Sequence, residues 1–498
     1  MTEISLIACP ECDALLRKPA LRKRQKARCP RCGATLYQGA TARLERICAV
    51  TLAALVTFLI AQAFPVIELE MNGITTRTGL LGALGVLWNE GMQLVAALVF
   101  CATTLFPLVE LLALLYVLLP MRRGHVPYGF HLVMRALRFV KPWSMLEVFM
   151  LGALVTMTKM TSIARVVPET ALFAFGALTL MFTVVASFDA RTLWDIADAL
   201  RAKNARASAG DVDDVDVAAD HDATSHAASC LARLPEPAEH VEHHQACSTV
   251  SPSASACLSA SRAGLIACEV CGHVQQGQQE QQVQQNDDHA DAAAPLHARH
   301  VRHAWHHSWP SWRAWQGRHG GHCARCGAAL HQRRPNSLSR TWALMIAAAL
   351  LYLPANLLPV MHTASLLGSE DDTIMSGVVY FWTSGDWPLA TIVFVASILV
   401  PMLKLSVLAL LAITCQRRSA WRCAERSRLY RLIEFIGRWS MLDVFVITLT
   451  VALVRFQSLA VITAGPGAMA FGAVVVLTML AALEFDPRFI WDDANNET

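Results

Sequence analysis

Apolar residues along this 498-residue chain gather into long blocks separated by polar, basic stretches. A helix crossing the hydrocarbon core of a bilayer needs about 17–25 mostly apolar residues. Eight blocks meet or approach that length: 47–64, 92–119, 145–167, 171–188, 341–359, 389–415, 441–464 and 467–485. The third and seventh carry interior polar residues, and the fourth and eighth are short. Eight such blocks together predict a polytopic α-helical membrane protein rather than a soluble core. The first 46 residues are polar, basic and cysteine-paired, so the first block reads as a retained anchor and not as a signal peptide.

Charge then fixes the expected orientation. Ten Lys/Arg lie in residues 1–46, five in 120–141 and seven in 416–440. The alternate loops carry few: Arg77 between the first two spans, Lys159 and Arg165 late in the third, none in 361–388, and Arg455 late in the seventh. The positive-inside bias places both termini and the cysteine pairs in the cytoplasm. The far-side loop 361–388 instead holds Glu370, Asp371, Asp372 and Asp386.

Composition agrees, with 54% hydrophobic and 16% charged residues against roughly 25% charged in an ordinary soluble domain. A net charge of +3 excludes a nucleic-acid binder as the default reading, and the segregation along the chain carries the information. Eight of the 15 cysteines form four Cys-x-x-Cys pairs, a pattern for metal in a reducing compartment rather than a disulfide framework.

The chain is duplicated. Cys29-Pro-Arg-Cys32-Gly33-Ala34 matches Cys323-Ala-Arg-Cys326-Gly327-Ala328 at an offset of 294, which recurs for Pro65/Pro359, Trp88/Trp382, Gly91/Gly385 and Pro107/Pro401. The offset is 296 for Trp143-Ser-Met-Leu-Glu-Val-Phe149 against Trp439-Ser-Met-Leu-Asp-Val-Phe445, and 297 for Phe188-Asp189/Phe485-Asp486 and Trp194-Asp195/Trp491-Asp492. Each half therefore reads as a cysteine module followed by four spans. Four is even, so the halves insert as parallel repeats. The expected domains are a ribbon over 1–46, a four-helix membrane domain over 47–200, a disordered linker over 201–264, a second ribbon with a Gln/His-rich insert over 265–338, and a second four-helix domain over 339–498.

Cys9, Cys12, Cys29 and Cys32 form two knuckles 16 residues apart, the spacing of a zinc ribbon with four thiolates on one tetrahedral Zn²⁺. Gly33 supplies the tight turn after the second knuckle. Cys268, Cys271, Cys323 and Cys326 are separated by 51 residues, a weak pattern by itself, and the repeat register assigns them a second zinc. Four thiolates leave no open position, so both ions are expected to be structural. Dithiol redox chemistry competes, without a thioredoxin-like surrounding to support it. The Arg22-Lys23-Arg24 run is explained by topology and anionic headgroups, not nucleic acid.

Charges inside spans cost roughly 2.5–3.5 kcal/mol each even on the lenient insertion scale, so each needs a reason. Glu110 in the second span and Lys404 in the sixth are equivalent positions of opposite charge, each following a proline. Glu147 and Asp443 open the third and seventh spans. Ser397 and Lys404 are seven apart, Ser440 and Asp443 three apart, and Thr478 lies mid-span in the eighth, which predicts one polar network in the second half. Thr103 and Ser144 occupy the equivalent places of Ser397 and Ser440. Two readings stay open: Lys404 pairs with Asp443, and Glu110 with Lys159 or a backbone donor, merely to hold helices together; or these groups change protonation or partner in a transport cycle.

Two four-cysteine ribbons, each leading into four spans, with Trp-Ser-Met-Leu-Glu/Asp-Val-Phe opening the third span and Phe-Asp-x-Arg-x-x-Trp-Asp closing the fourth, resemble the paraquat-inducible protein A family. The resemblance covers nearly the whole chain except the linker and insert. It implies an inner-membrane, non-enzymatic partner of a periplasmic MCE-domain (mammalian cell entry) tunnel protein, moving phospholipid between membranes. The chain has no Gly-x-x-x-x-Gly-Lys-Ser/Thr loop, so a driven cycle would draw on protons through Lys404, Asp443 or Glu110. The rival reading is a non-transporting membrane scaffold that senses zinc or redox state for a periplasmic partner. A membrane redox enzyme lacks the paired intramembrane His that haem needs.

Overall fold

The computed structural model describes residues 6–18, 25–38, 44–71, 74–160, 165–186, 190–208, 259–276, 321–365, 368–453, 455–456 and 460–492. The first half runs from span helix Leu44–Ala63 through the hairpin Ile67–Met71/Ile74–Thr78 and the short helix Leu80–Asn89. A long helix follows from Gln93 to Arg122, then an elbow helix Phe130–Val140, a third-span helix Leu146–Met160, a strand Arg165–Pro168 and a fourth helix Thr170–Ala186. The second half repeats this order with Ser337–Leu357, Met361–Ser365/Gly368–Asp372, Ile374–Thr383, the long helix to Gln416, elbow Cys423–Gly437, Leu442–Leu453, strands Arg455–Phe456 and Ala460–Ala464, and Pro466–Glu484.

Among the described residues six helices are long and apolar enough to cross a membrane, and a seventh if Thr170–Ala186 and Arg191–Ala205, bent by 57°, are one span. The seventh block expected over 441–464 is corrected: its helix is only the 12 residues Leu442–Leu453, and strands follow. The third block likewise turns to strand at Arg165. In both halves the hairpin after the first span offers an unpaired edge, and the chain leaving the third helix satisfies its backbone groups there. Ile67 pairs with Pro168 in one sheet and Met361 with Ala464 in the other. The expected linker also shrinks at both ends. Helix Ala190–Ser208 runs into it, and residues 259–264 dock on the first ribbon through Ala260 N–H to the Asp13 carbonyl at 2.8 Å. Residues 209–258 and the His-rich insert 277–320 lie outside the described residues.

One core joins the halves. The Phe149 ring stands edge-on to Phe175 at 5.0 Å and to Phe445 of the other half at 5.7 Å. The third-span helices cross there because residue 152 is glycine: a Cβ on it would lie 3.0 Å from the Phe445 Cβ. Small residues at such crossings let helices approach where lipid supplies no hydrophobic drive. Each long second-span helix contains one π turn, Cys101–Leu105 and Val395–Leu399, at the same offset, with Thr103 and Ser397 buried in the middle. Such bulges frequently sit at functional sites.

Candidate functional site

The four knuckles fold alike. The first cysteine of each accepts from the N–H of the residue after the second, at 3.0 Å for Asp13 and 2.8, 2.9 and 2.7 Å for Gly33, Gly272 and Gly327. That turn holds the fifth residue, the one after the second cysteine, at positive φ: +59° at Asp13, +76° at Gly33, +73° at Gly272 and +65° at Gly327. Glycine takes this conformation without a Cβ penalty, as expected for Gly33, and Asp is among the few others that tolerate it. The four Sγ atoms of Cys9, Cys12, Cys29 and Cys32 lie within 4.8 Å of one another, as do those of Cys268, Cys271, Cys323 and Cys326. The Cys9–Cys32, Cys12–Cys29, Cys268–Cys326 and Cys271–Cys323 Sγ···Sγ separations are 3.4–3.6 Å. These distances are far beyond a disulfide at about 2.05 Å and near the edge, about 3.8 Å, of a tetrahedron with 2.3 Å metal–sulfur bonds. Both groups therefore fit a closed four-thiolate metal ion, and the 51-residue spacing of the second does not keep its four thiols apart.

The ribbons are crossed between the halves. The first packs its cysteines against Leu411, Phe485, Ile490 and Trp491 of the second half, whereas the second packs against Leu193, Trp194 and Phe130 of the first. Polar contacts repeat the exchange. Arg431 of the second elbow donates to the Cys32 carbonyl at 2.9 Å, and its equivalent Arg135 of the first elbow donates to the Cys326 carbonyl at 2.5 Å. Arg31 lies over the Trp491 ring at 4.7 Å and Arg325 over Trp194 at 5.6 Å. Arg431 also pairs with Glu11 at 2.7 Å, while burial pushes the Glu11 carboxyl up to about 7 against the pull of Arg431. Sequence reasoning missed Arg135 and Arg431. Their shared offset of 296 is the signal that finds them.

The expected polar network is partly assembled. Lys404 is 2% exposed, and its Nζ donates to Thr478 Oγ1 at 3.3 Å, with no carboxylate within ion-pair distance among the described residues. Gly437 makes room for it, because a Cβ there would meet Lys404 Nζ at 3.0 Å. Ser440, one turn on, is buried and donates to the Gly437 carbonyl at 2.8 Å. Ser397 donates to the Val393 carbonyl at 2.7 Å, and the π turn alters the simple seven-residue register with Lys404. The Asp443 side chain lies outside the described residues. In the first half Glu110 is buried with Ser144 as hydrogen-bond partner and Lys141 as the cation acting on it. Lys159, the partner expected for Glu110, is about 20 Å along the helix axis from that end, and its side chain lies outside the described residues. Glu147 is exposed in the first turn of its helix, where the helix dipole favours a carboxylate, and it joins no buried cluster.

A cavity of about 670 Å³ lies between the halves on the ribbon side, with Lys404 and Glu110 in its walls and residues of both ribbons, Glu11 and Glu269 among them, over it.

Comparison with known proteins fits this architecture. The chain is similar to the intermembrane transport protein PqiA of Escherichia coli strain K12, 31% identical over 98% of this chain and 95% of that one. It is similar to the lipophilic envelope-spanning tunnel protein A of the same organism, 27% identical over 97% and 90% of the two chains. A probable intermembrane transport protein of Haemophilus influenzae is 25% identical over 98% and 95%. No solved structure matches. The sequence model of paraquat-inducible protein A matches residues 44–198 and 338–495, the two four-helix units described above. With two such units in register and full-length relatives of the same kind, the chain belongs to the paraquat-inducible protein A family.

Proposed function

We propose that the chain is the inner-membrane subunit of a lipid transport system, exchanging phospholipid with a periplasmic MCE-domain tunnel protein. The ribbons and both termini face the cytoplasm in this reading, following the basic loops on their side. Each ribbon holds one Zn²⁺, which supplies a rigid crosslink and no reactive site. The observation that carries transport over scaffolding is Lys404: a lysine 2% exposed, facing a hydroxyl and lining a cavity between two halves. A scaffold has no use for a charge that costs roughly 2.5–3.5 kcal/mol in the spans. The names of the relatives, intermembrane transport and envelope-spanning tunnel proteins, point the same way.

Energy enters as proton binding and release in the network of Lys404, Thr478, Ser440, Ser397 and Asp443. A proton leaving Lys404 Nζ removes the buried charge and frees Thr478 to reorient, which changes the contact between the sixth and eighth spans. Glu110, in the other half, takes no part in this network. Transfer of labelled phospholipid from vesicles holding the chain and its tunnel partner tests this, with Lys404→Ala and Asp443→Ala compared with and without an imposed proton gradient. Both variants should lose gradient-dependent transfer. Wild-type rates in both would refute the coupling.

A further inference from the structure

The cavity between the halves holds more cationic charge than its own carboxylates neutralise. Five described residues of its lining are cations: Arg138, Lys141, Arg191, Lys404 and Arg431. Of the four lining carboxylates, Glu11 is paired with Arg431 at 2.7 Å, and Glu269 is held by Arg334 at 3.0 Å and Arg488 at 2.6 Å, both outside the lining. The other charged residues of the lining are Glu110, Glu434, Arg138, Lys141, Lys404 and Arg191, the last donating to the Leu36 carbonyl at 2.8 Å. Arg138 and Lys141 make no hydrogen bond or ion pair among the described residues, although both project from the first elbow into the space. The nearby carboxylate acting on Arg138 is Glu269, already engaged twice. An arginine fork and two ammonium groups converging on one cavity are the donor set for a phosphate group.

The rest of the cavity is apolar. Leu114, Met134 and Met479 belong to spans and elbow of both halves and form its wall. Its volume, about 670 Å³, is within the usual range of about 300–1,000 Å³ for small-ligand sites. Resting on the lipid-transport reading, we infer that this cavity is the ribbon-side entry site for a phospholipid, whose phosphodiester headgroup sits between Arg138 and Lys141 on one half and Lys404 on the other, with acyl chain against the Met134–Met479 wall. Residues of both ribbons, Glu11, Thr35, Glu269 and Val270, line the headgroup end. Lys404 then senses the lipid and the proton with the same ammonium group.

The test uses the purified full chain in nanodiscs of phosphatidylethanolamine containing a photoactivatable diazirine phosphatidylglycerol, with no tunnel partner and no gradient. Crosslinked peptides are mapped by mass spectrometry. The wild type should label at Met134 and Met479, and Arg138→Ala/Lys141→Ala should lower that labelling at least about tenfold, the effect of losing charge-assisted contacts. Arg138→Lys/Lys141→Arg keeps the charge and should retain most labelling, and an unchanged melting temperature in both double variants separates site loss from misfolding. Labelling that survives the alanine pair, or is absent from this wall in the wild type, overturns the site. Competition by excess inorganic phosphate overturns the lipid assignment and identifies a soluble-anion pocket. Because nothing is transported in this assay, labelling that persists while vesicle transfer fails would count against the transport reading and leave the site standing.

Discussion

The two halves are built to one plan, and their differences are concentrated around the cavity. Across the repeat, Glu110 stands where the second half has Lys404, Arg138 where it has Glu434, and Lys141 where it has Gly437. The first half thus keeps a buried carboxylate beside its own cation and a serine. The second keeps a buried ammonium beside a glycine and a threonine. The outer side diverges too. The first half's short helix Leu80–Asn89 packs on the second half's helix Leu442–Leu453, but its counterpart Ile374–Thr383 packs on its own neighbour Trp387–Phe394 and leaves Tyr380 65% exposed. Duplication gives two copies of a fold. Charge reversal at equivalent positions gives the two copies different chemistry on one scaffold.

The largest effect should come from the metal sites. Structural zinc contributes about 10–16 kcal/mol in small ribbon domains. Cys12→Ser should lower bound zinc from two ions per chain to one, and hydrogen exchange should then rise in the second half, at elbow Cys423–Gly437 and around Trp491, because the first ribbon docks there. Cys326→Ser should deprotect the first elbow Phe130–Val140 instead. Deprotection within the same half as the altered ribbon would break the crossed arrangement.

Next in size is the contrast between the two intramembrane charges. Lys404→Met should cut lipid transfer by more than about tenfold, equivalent to about 1.4 kcal/mol or more, whereas Glu110→Gln should cost transfer little. Equal losses would mean that the halves share the work. Gly437→Ala should shift Lys404, since the new Cβ lies 3.0 Å from Nζ, with a packing penalty of about 1–3 kcal/mol and a several-fold fall in both transfer and lipid labelling. The smallest effect is expected for Arg135→Lys and Arg431→Lys, each losing a guanidinium bond to a knuckle carbonyl for about 1 kcal/mol, read as a small drop in melting temperature. A much larger cost for either one would show that one ribbon carries more of the clamp.

Much of this protein is written locally. The cysteine spacing, the glycine after the knuckle, most of the long apolar blocks and the drifting repeat offset are properties of neighbouring residues, and they reappear as elements of the structure. Met441–Ala464 misled because hydrophobic content does not distinguish a span from a short helix followed by β-branched strand residues; the free edge of Met361–Ser365 decides between them. The cation acting on Glu110, Lys141, is likewise not legible in the sequence, since charge alone does not say which end of a helix faces it.

The sequence by itself determined the membrane class, the repeat, the two four-thiolate groups and the few charges that lie among apolar residues. Tertiary structure alone decided that each ribbon sits on the opposite half, that Gly437 vacates space for Lys404, and that cations from both halves meet in one cavity. The reason is physical: ligand spacing and span length are set within a few tens of residues, whereas an arginine such as Arg431 finds the Cys32 carbonyl, 399 positions away, only when the two halves have packed.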